Sequence, residues 1–194
     1  GGIKLAATEP EVREAAAKIL GMTLVTRQTG PEGRLVRSIL VEEALPIERE
    51  FYAAITLDRA YGAPLLMVSA SGGMSIEEIA ERDPKAIIRA HFHPFLGLTA
   101  HRTRELSFKL GLHGKQMTEC ARLFAAMARI FLEKDASLVE VNPLAVISDG
   151  RVVAADAKMA FEESALYRHE DISELRDEAE EDPAEFEAHL ADLS

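Results

Sequence analysis

The sequence predicts an α+β fold in which an antiparallel sheet is packed against helices. Three observations lead to this prediction. Long segments carry apolar residues at helical spacing, short segments rich in Val, Ile, Leu, Tyr and Thr lie between turn residues, and two apolar arms flank Asp149-Gly150. The 194 residues, 47% of them apolar, are enough for one substantial core and at most two small domains.

The first predicted element is a helix over the segment EVREAAAKIL. Thr8 and Glu11 have the spacing of a capping box, and Pro10 is tolerated in the first helical turn. Gly21 follows the last apolar residues of this segment. Glycine adopts the left-handed backbone that commonly ends a helix, so we expect the helix to stop there.

A group of strands follows the first helix. Strand-forming residues alternate with turn residues such as Gly30, Gly33 and Pro46, and they predict a meander of three or four strands. The predicted strands are 24–26, 35–42, 50–58 and 64–69, the last two being joined by a turn over 59–63.

Three helices are predicted in the middle of the chain. Ser75 and Glu78 have the spacing of a second capping box, for the helix IEEIAER that follows the glycine pair of SGGM (71–74). Two glycines separate the next two helices, roughly 102–110 and 115–133. The longer helix carries an apolar stripe, and Cys120 lies within or beside it, which predicts a buried core position for the thiol.

The net charge of −11 is unevenly distributed. The last 34 residues hold 2 basic and 13 acidic side chains, so the first 160 residues are balanced. We expect a globular domain over 1–160 and an acidic tail over 161–194 with two short helices interrupted by Pro183. A basic face for nucleic acid is not predicted, because phosphate binding requires clustered Lys and Arg.

The single cysteine and the short apolar runs indicate the compartment. One thiol forms no internal disulfide, and no apolar run reaches the roughly 20 residues that cross a bilayer. We therefore expect a soluble protein in a reducing compartment, with no membrane partner. The chain opens on Gly1 rather than Met, which suggests a processed chain or an excised piece.

The hairpin around Asp149-Gly150 carries a candidate metal site. Glu140 and Asn142 are two residues apart and therefore share a face of the first arm. A three-residue loop places Asn142 opposite Asp156, whereas a two-residue loop places Asp156 opposite Pro143, and the sequence leaves both registers open.

Carboxylate and amide oxygens are the ligands that Mg²⁺ prefers, commonly with one or two protein groups beside phosphates and water. Asn142 and Asp156 fit that pattern. The alternative interpretation is structural: Asp156 pairs with Lys158 or another cation, and Asn142 satisfies a local backbone group.

Two further groups have a functional and a structural interpretation. Carboxylates around Pro46, at Glu42, Glu43, Glu48 and Glu50, suit hydrogen bonds to a ribose, but a solvated turn is the alternative. A group of histidines precedes the middle helices, at His91, His93 and His101, without the spacing of a known metal motif, so exposed or capping histidines are the alternative. GLHGK (111–115) lacks the spacing of a phosphate loop, and an interhelical turn is expected there.

The collinear order of these segments resembles the β subunits of the succinyl-CoA synthetase family, which are ATP-grasp acid:CoA ligases. The matching motifs span nearly the whole chain: GGIKLA, LVTRQTG, ILVEEALPIEREFYAAITLDRA, SGGMSIEEIAERDP, RELSFKLGLHGK, IFLEKDASLVEVNPLAVISDG, AADAK and ALYRHEDISELRD. VEVNPL followed by D-x-K is the most specific of them. The resemblance implies the carboxyl-terminal portion of an ATP-grasp domain.

The resemblance also implies roles for individual residues. Asn142 and Asp156 correspond to Mg²⁺ ligands, and Glu140 corresponds to the carboxylate that meets a phosphohistidine carried by a CoA-binding α subunit. Glu42, the backbone at Leu45, and Glu50 correspond to contacts with ATP/ADP or GTP/GDP. The implied reaction forms succinyl-CoA from succinate, CoA and a nucleoside triphosphate, in the cytoplasm or, in a eukaryote, the mitochondrial matrix.

Departures from the family pattern keep two other interpretations open. Ser71 replaces an acidic residue before the paired glycines, His93 replaces an Asp before Pro94, and 162–164 replace an Asp-Asp-Asn-like run. By the resemblance, a nucleotide-gripping segment precedes this sequence, and a CoA-ligase domain follows the acidic tail. We therefore expect the isolated chain to lack ligase activity. A malate:CoA ligase β chain and a non-catalytic assembly module are the alternatives.

Overall fold

The computed structural model describes residues 2–26 and 29–177. The chain divides into two compact units, Gly1–Pro46 and Ile47–Ser194. In the described residues, no helix is both long and apolar enough to span a membrane.

The first unit contains one helix and a two-stranded sheet. Helix α1 spans Glu9–Ile19, and β1 (Thr23–Leu24) pairs antiparallel with β2 (Arg34–Leu35). Gly21 has φ +78°, as expected for the residue that ends α1.

Two predictions for this unit are wrong. Thr8 is the N-cap residue, but its hydroxyl accepts no backbone N–H from the first turn. Glu11 acts instead, because its Oε2 accepts the Ala7 N–H at 2.7 Å. Of the strand predicted over 35–42, only Leu35 lies in a strand, and 36–46 has no regular secondary structure.

The second unit is built on an antiparallel sheet of six strands. The strands are β3 (Ile47–Asp58), β4 (Ala63–Ser69), β5 (Ile88–His91), β6 (Ala136–Ile147), β7 (Val152–Ala154) and β8 (Ala157–Phe161). The strand order is β5-β4-β3-β6-β7, and β8 pairs with the first half of β6. β1 and β2 belong to a separate sheet, so the single meander predicted from the sequence is wrong.

Helices cover both faces of this sheet. They are α2 (Ile76–Arg82), α3 (Ala100–Lys109), α4 (Gly114–Glu133) and the short α5 (Glu170–Ser173), with 3₁₀ helices at Pro84–Ala86 and Glu163–Arg168. The predicted capping box of α2 is confirmed: Ser75 Oγ accepts the Glu78 N–H, and Glu78 Oε2 accepts the Ser75 N–H. The helices predicted around Pro183 lie outside the described residues.

The two faces of β3 belong to two different clusters. Phe51, Ala53 and Ile55 join the large core, to which α3 and α4 contribute Leu106 and Phe124. The opposite side of β3 forms a smaller cluster, hereafter the α2 face, composed of Tyr52, Ala54, Ile79 and Ile87. Burial of each large side chain contributes about 1.5–3 kcal/mol, so both clusters hold the central strands β3 and β6 firmly in place.

Burial also decides the state of the single cysteine. Cys120 is fully buried in the large core, as predicted. Burial raises the pKa of its thiol to about 11, although a hydrogen bond with Ser107 opposes part of the increase. The thiol therefore remains protonated and packs as a small apolar group.

Candidate functional site

The register of the candidate hairpin is that of a three-residue loop. Leu144 pairs with Ala154 and Val146 with Val152. Asn142 donates its backbone N–H to the Asp156 carbonyl at 3.2 Å, so these two residues lie opposite each other. Of the two registers that the sequence left open, the structure contains the one that juxtaposes the candidate metal ligands.

A bulge in β6 occurs at the same place. Phe51 pairs with Leu144 and Ala53 with Val141, so Asn142 and Pro143 together face the single residue between the two β3 positions. The Asn142–Pro143 peptide bond is cis. Bulges change the direction of side chains and are common beside functional sites.

Asn142 is held by the SGGM loop. Its Oδ1 accepts the Gly73 N–H at 2.9 Å, and its Nδ2 donates to the Met74 carbonyl at 2.9 Å. These two bonds fix which end of the amide is oxygen. Asn142 therefore does satisfy backbone groups, but these belong to a loop 68 and 69 residues away and not to the local backbone of the structural interpretation. A second lone pair of Oδ1 is still available for a ligand.

Glu50 lies against the other side of the same loop. A Cβ atom added to Gly73 would come within 2.5 Å of Glu50 Oε2, and one added to Gly72 would come within 2.5 Å of the Phe51 backbone nitrogen. Gly73 has φ +71°, which favours glycine. Gly73 therefore lies beside the predicted nucleotide contact Glu50 and also bonds the predicted metal ligand Asn142.

Glu140 lies on the α2 face and contacts a tyrosine that the sequence analysis did not single out. The hydroxyl of Tyr52 donates to Glu140 Oε2 at 2.8 Å. Burial, the hydrogen bond to Glu140 and the charges of Glu140 and Glu77 raise the pKa of Tyr52 far above its usual value. The tyrosine is therefore a permanent hydrogen-bond donor to this carboxylate.

Asp156 is exposed, and its carboxylate forms no hydrogen bond or ion pair with any residue that the structure describes. The predicted alternative partner Lys158 lies instead opposite Glu140 in the β6–β8 pairing. Within 2–26 and 29–177, no group of three His, Cys, Asp or Glu could hold a metal. The donor set of Asn142 and Asp156 fits a cation that takes two protein oxygens and completes its shell with phosphate and water.

The remaining candidates belong to other segments of the chain. Glu42 and Leu45 are exposed, in the stretch of the first unit that has no regular structure. The predicted histidine group lines one surface pocket beside the start of α3, where His91 Nε2 bonds Asp58 Oδ2 at 2.8 Å and His93 Nδ1 accepts the Phe95 N–H. In GLHGK, residues 111–113 lie in the predicted turn between α3 and α4, and Gly114 and Lys115 begin α4.

Comparison of the sequence with known protein families assigns the chain to a family. The sequence profile of the ATP-grasp domain matches residues 1–146. The chain belongs to the ATP-grasp family. The antiparallel sheet with packed helices agrees with this assignment. Among solved structures, this ATP-grasp chain is similar to ATP citrate lyase from Methanothrix soehngenii, in complex with citrate and coenzyme A, with TM-score 0.65 and 20% identity over 89% of this chain and 38% of that one. At that identity the likeness concerns the fold alone.

Curated relatives confirm the resemblance stated from the motifs. The β subunit of succinate–CoA ligase (ADP-forming) from Koribacter versatilis is 50% identical over 188 residues, which cover 97% of this chain and 48% of the relative. The corresponding subunit from Chloroherpeton thalassium is 47% identical over all 194 residues and 50% of its own length. This ATP-grasp chain thus spans about half the length of the curated relatives it matches.

Proposed function

We propose that this chain is the nucleotide- and Mg²⁺-binding part of an acid:CoA ligase β subunit. The reaction converts succinate, CoA and a nucleoside triphosphate into succinyl-CoA, a nucleoside diphosphate and phosphate, through a phosphohistidine on an α subunit. The single observation that carries the proposal is the opposition of Asn142 and Asp156 beside a fixed glycine loop.

Each residue has a distinct task in this proposal. Asn142 and Asp156 hold Mg²⁺, which supplies charge neutralisation to the phosphates when it is bound. Glu42, the backbone at Leu45, and Glu50 bind ATP/ADP or GTP/GDP. The SGGM loop keeps the amide oxygen of Asn142 in one orientation and holds Glu50 at its other side.

Glu140 interacts with the histidine of the partner subunit. Its carboxylate accepts the ring N–H of the α-subunit histidine and stabilises the positive charge that develops on the ring while the other ring nitrogen bonds the γ-phosphorus and the nucleoside diphosphate leaves. The chain itself supplies the negative charge at a fixed position, and phosphoryl transfer requires mainly such positioning and charge compensation. The proposed location of the ligase is the cytoplasm or, in a eukaryote, the mitochondrial matrix.

The experiment is reconstitution. The complete β subunit that carries this sequence is mixed with its α subunit, and formation of a CoA thioester is measured with succinate and with malate. We expect ATP- or GTP-dependent thioester formation with succinate. Turnover of malate alone would favour the malate:CoA ligase, and a folded assembly without thioester formation would favour the assembly module.

A further inference from the structure

We propose that Tyr52 is a positioning residue that holds the carboxylate of Glu140 in the orientation in which it meets the histidine of the partner. This inference rests on the proposed function, because it gives Glu140 the task stated there. It adds a residue of this chain, on a different strand, to the apparatus for phosphoryl transfer.

The hydroxyl of Tyr52 occupies a fixed point. The ring is 1% exposed and packs in the α2 face with Ala54, Ile79 and Ile87. A tyrosine has only two side-chain torsions, and packing on all sides leaves neither of them free. The oxygen at the end of this ring is therefore positioned as precisely as the backbone of β3.

Glu140 is anchored through only one of its two carboxylate oxygens. Oε2 accepts the Tyr52 hydroxyl at 2.8 Å, and Oε1 accepts no hydrogen bond from the residues that the structure describes. The side chain is partly exposed. One oxygen thus fixes the carboxylate, and the other remains available for a group that arrives from outside the chain.

The anchor does not require Tyr52 to change its protonation state. Burial is the main reason that the tyrosine keeps its proton, and the nearby charges of Glu140 and Glu77 act in the same direction. A neutral hydroxyl donates to a carboxylate without cancelling its charge. Glu140 therefore keeps the negative charge that stabilises the positive charge developing on the histidine ring, while losing the rotational freedom of an exposed glutamate.

The contact has a competing explanation in packing alone. A buried hydroxyl needs a hydrogen-bond partner, and Glu140 satisfies this need whether or not it takes part in catalysis. The two explanations differ in what Tyr52→Phe does. A packing role alters the stability of the chain, whereas a positioning role alters the rate of phosphoryl transfer.

A matched control lies on the same strand. The hydroxyl of Thr56 donates to the Ser137 carbonyl at 3.3 Å, again from β3 toward β6. Thr56→Val removes this hydroxyl and leaves a side chain of similar shape. Each variant therefore deletes one hydroxyl hydrogen bond between the same pair of strands, and only Tyr52→Phe deletes the shorter one, to the Glu140 carboxylate.

The test measures single-turnover phosphorylation of the α subunit by nucleotide, in the complete ligase whose β subunit carries each variant. We expect Tyr52→Phe to slow transfer about tenfold or more, with nucleotide affinity within about twofold of wild type, because a hydrogen bond to a charged group is lost. Thr56→Val should change neither quantity. Adding Tyr52→Phe to Glu140→Gln should slow transfer little further, since the tyrosine acts through the glutamate.

The outcomes separate the two proposals. If Glu140→Gln abolishes transfer and Tyr52→Phe transfers at the wild-type rate, positioning by Tyr52 is overturned and the proposed function stands. If Glu140→Gln transfers the phosphoryl group at the wild-type rate, the role of Glu140 in the proposed function is contradicted, and the positioning role of Tyr52 is contradicted with it.

A second measurement uses this chain alone and does not depend on Tyr52→Phe being folded. Tyrosinate formation is followed by ultraviolet absorbance in wild type. Tyr61 and Tyr167 are exposed and provide internal references. We expect Tyr52 to ionise at higher pH than these two references, and ionisation of all three tyrosines together would overturn the proposal, because the hydroxyl would then not be held against Glu140 in the α2 face.

Discussion

The side chain of Asn142 and the backbone of Gly73 are joined by a hydrogen bond of 2.9 Å between residues 69 positions apart in the sequence. A second bond, from Asn142 Nδ2 to the Met74 carbonyl, completes the attachment. The bulged strand and the glycine loop therefore form one structural unit. A substitution in the loop is therefore expected to change the orientation of Asn142, because groups that hydrogen-bond a metal ligand set its orientation.

The first prediction concerns Gly73→Ala. Its φ of +71° makes alanine unfavourable by about 1–2 kcal/mol, and the new Cβ would lie 2.5 Å from Glu50 Oε2. Glu50 has a flexible side chain, so it moves away rather than preventing folding. We expect a modest loss of stability together with a several-fold loss of affinity for Mg·ADP, measured by thermal unfolding and calorimetry.

Gly62→Ala is the matched control for this prediction. Gly62 has φ +73°, and a Cβ added there would meet nothing within 4 Å. The backbone penalty is therefore the same, without displacement of Glu50. Equal effects of the two substitutions on affinity for Mg·ADP would show that the loop acts only through overall stability.

The second prediction concerns Cys120. Because the buried thiol has its pKa raised to about 11, we expect no alkylation of the folded chain at pH 8 over a period in which the urea-unfolded chain reacts fully. The readout is clear because the sequence contains one cysteine. Rapid labelling of the folded chain would contradict the packing of α4.

The same shift predicts a pH dependence of stability. The folded pKa is higher than the usual value of 9.0, so the thiol's contribution is complete below pH 9 and is lost as pH rises from 9 toward 11. Urea unfolding of wild type and Cys120→Ala over this range should show a smaller decline for the variant. Parallel curves would mean that the thiol does not contribute to the decline.

The third prediction concerns the turn between α4 and β6. Asp135 has φ +49°, and its carboxylate bonds Arg168 and His169, each at 2.6 Å. Arg168 first, and His169 second, lower the pKa of Asp135 below its usual value of 3.8. The contribution of this carboxylate to stability is therefore present above that pH and is lost as pH falls below it.

Asp135→Asn tests this contribution without altering the backbone, because asparagine also tolerates positive φ. We expect a loss of up to about 1 kcal/mol at pH 7 and a smaller loss near pH 3, from urea unfolding at both pH values. A loss that is the same at both pH values would indicate that the charge of Asp135 does not matter.

Two elements fixed by neighbouring residues were predictable from the sequence, although the equally local capping box of Thr8 and Glu11 was not. The capping box of α2 depends on Ser75 and Glu78, three residues apart, and the stripe of α4 depends on periodicity within one helix. In both cases the relevant interactions are local. The predicted opposition of Asn142 and Asp156 needed only the choice between two loop lengths, which the three-residue loop around Asp149 decides.

Elements that depend on distant partners were not predictable. Residues 36–42 have strand-forming composition, but strand formation requires a neighbouring strand, and 36–46 remains irregular. The sequence did not predict β5, because its four residues form a strand only through their pairing with β4. The contact of Tyr52 with Glu140 spans 88 residues and left no local pattern to detect, although Tyr52 and the candidate Glu50 are two positions apart on one strand.

The most direct test of the candidate site is calorimetric titration of Mg·ADP into the β subunit that carries this sequence, with Asp156→Ala and Asp149→Asn compared. Asp149 is an exposed aspartate in the loop of the same hairpin and pairs with Arg151, so its substitution controls for the loss of one negative charge there. We predict wild-type affinity for Asp149→Asn and a loss of at least about tenfold for Asp156→Ala. Unchanged affinity in Asp156→Ala would contradict the assignment of the metal site.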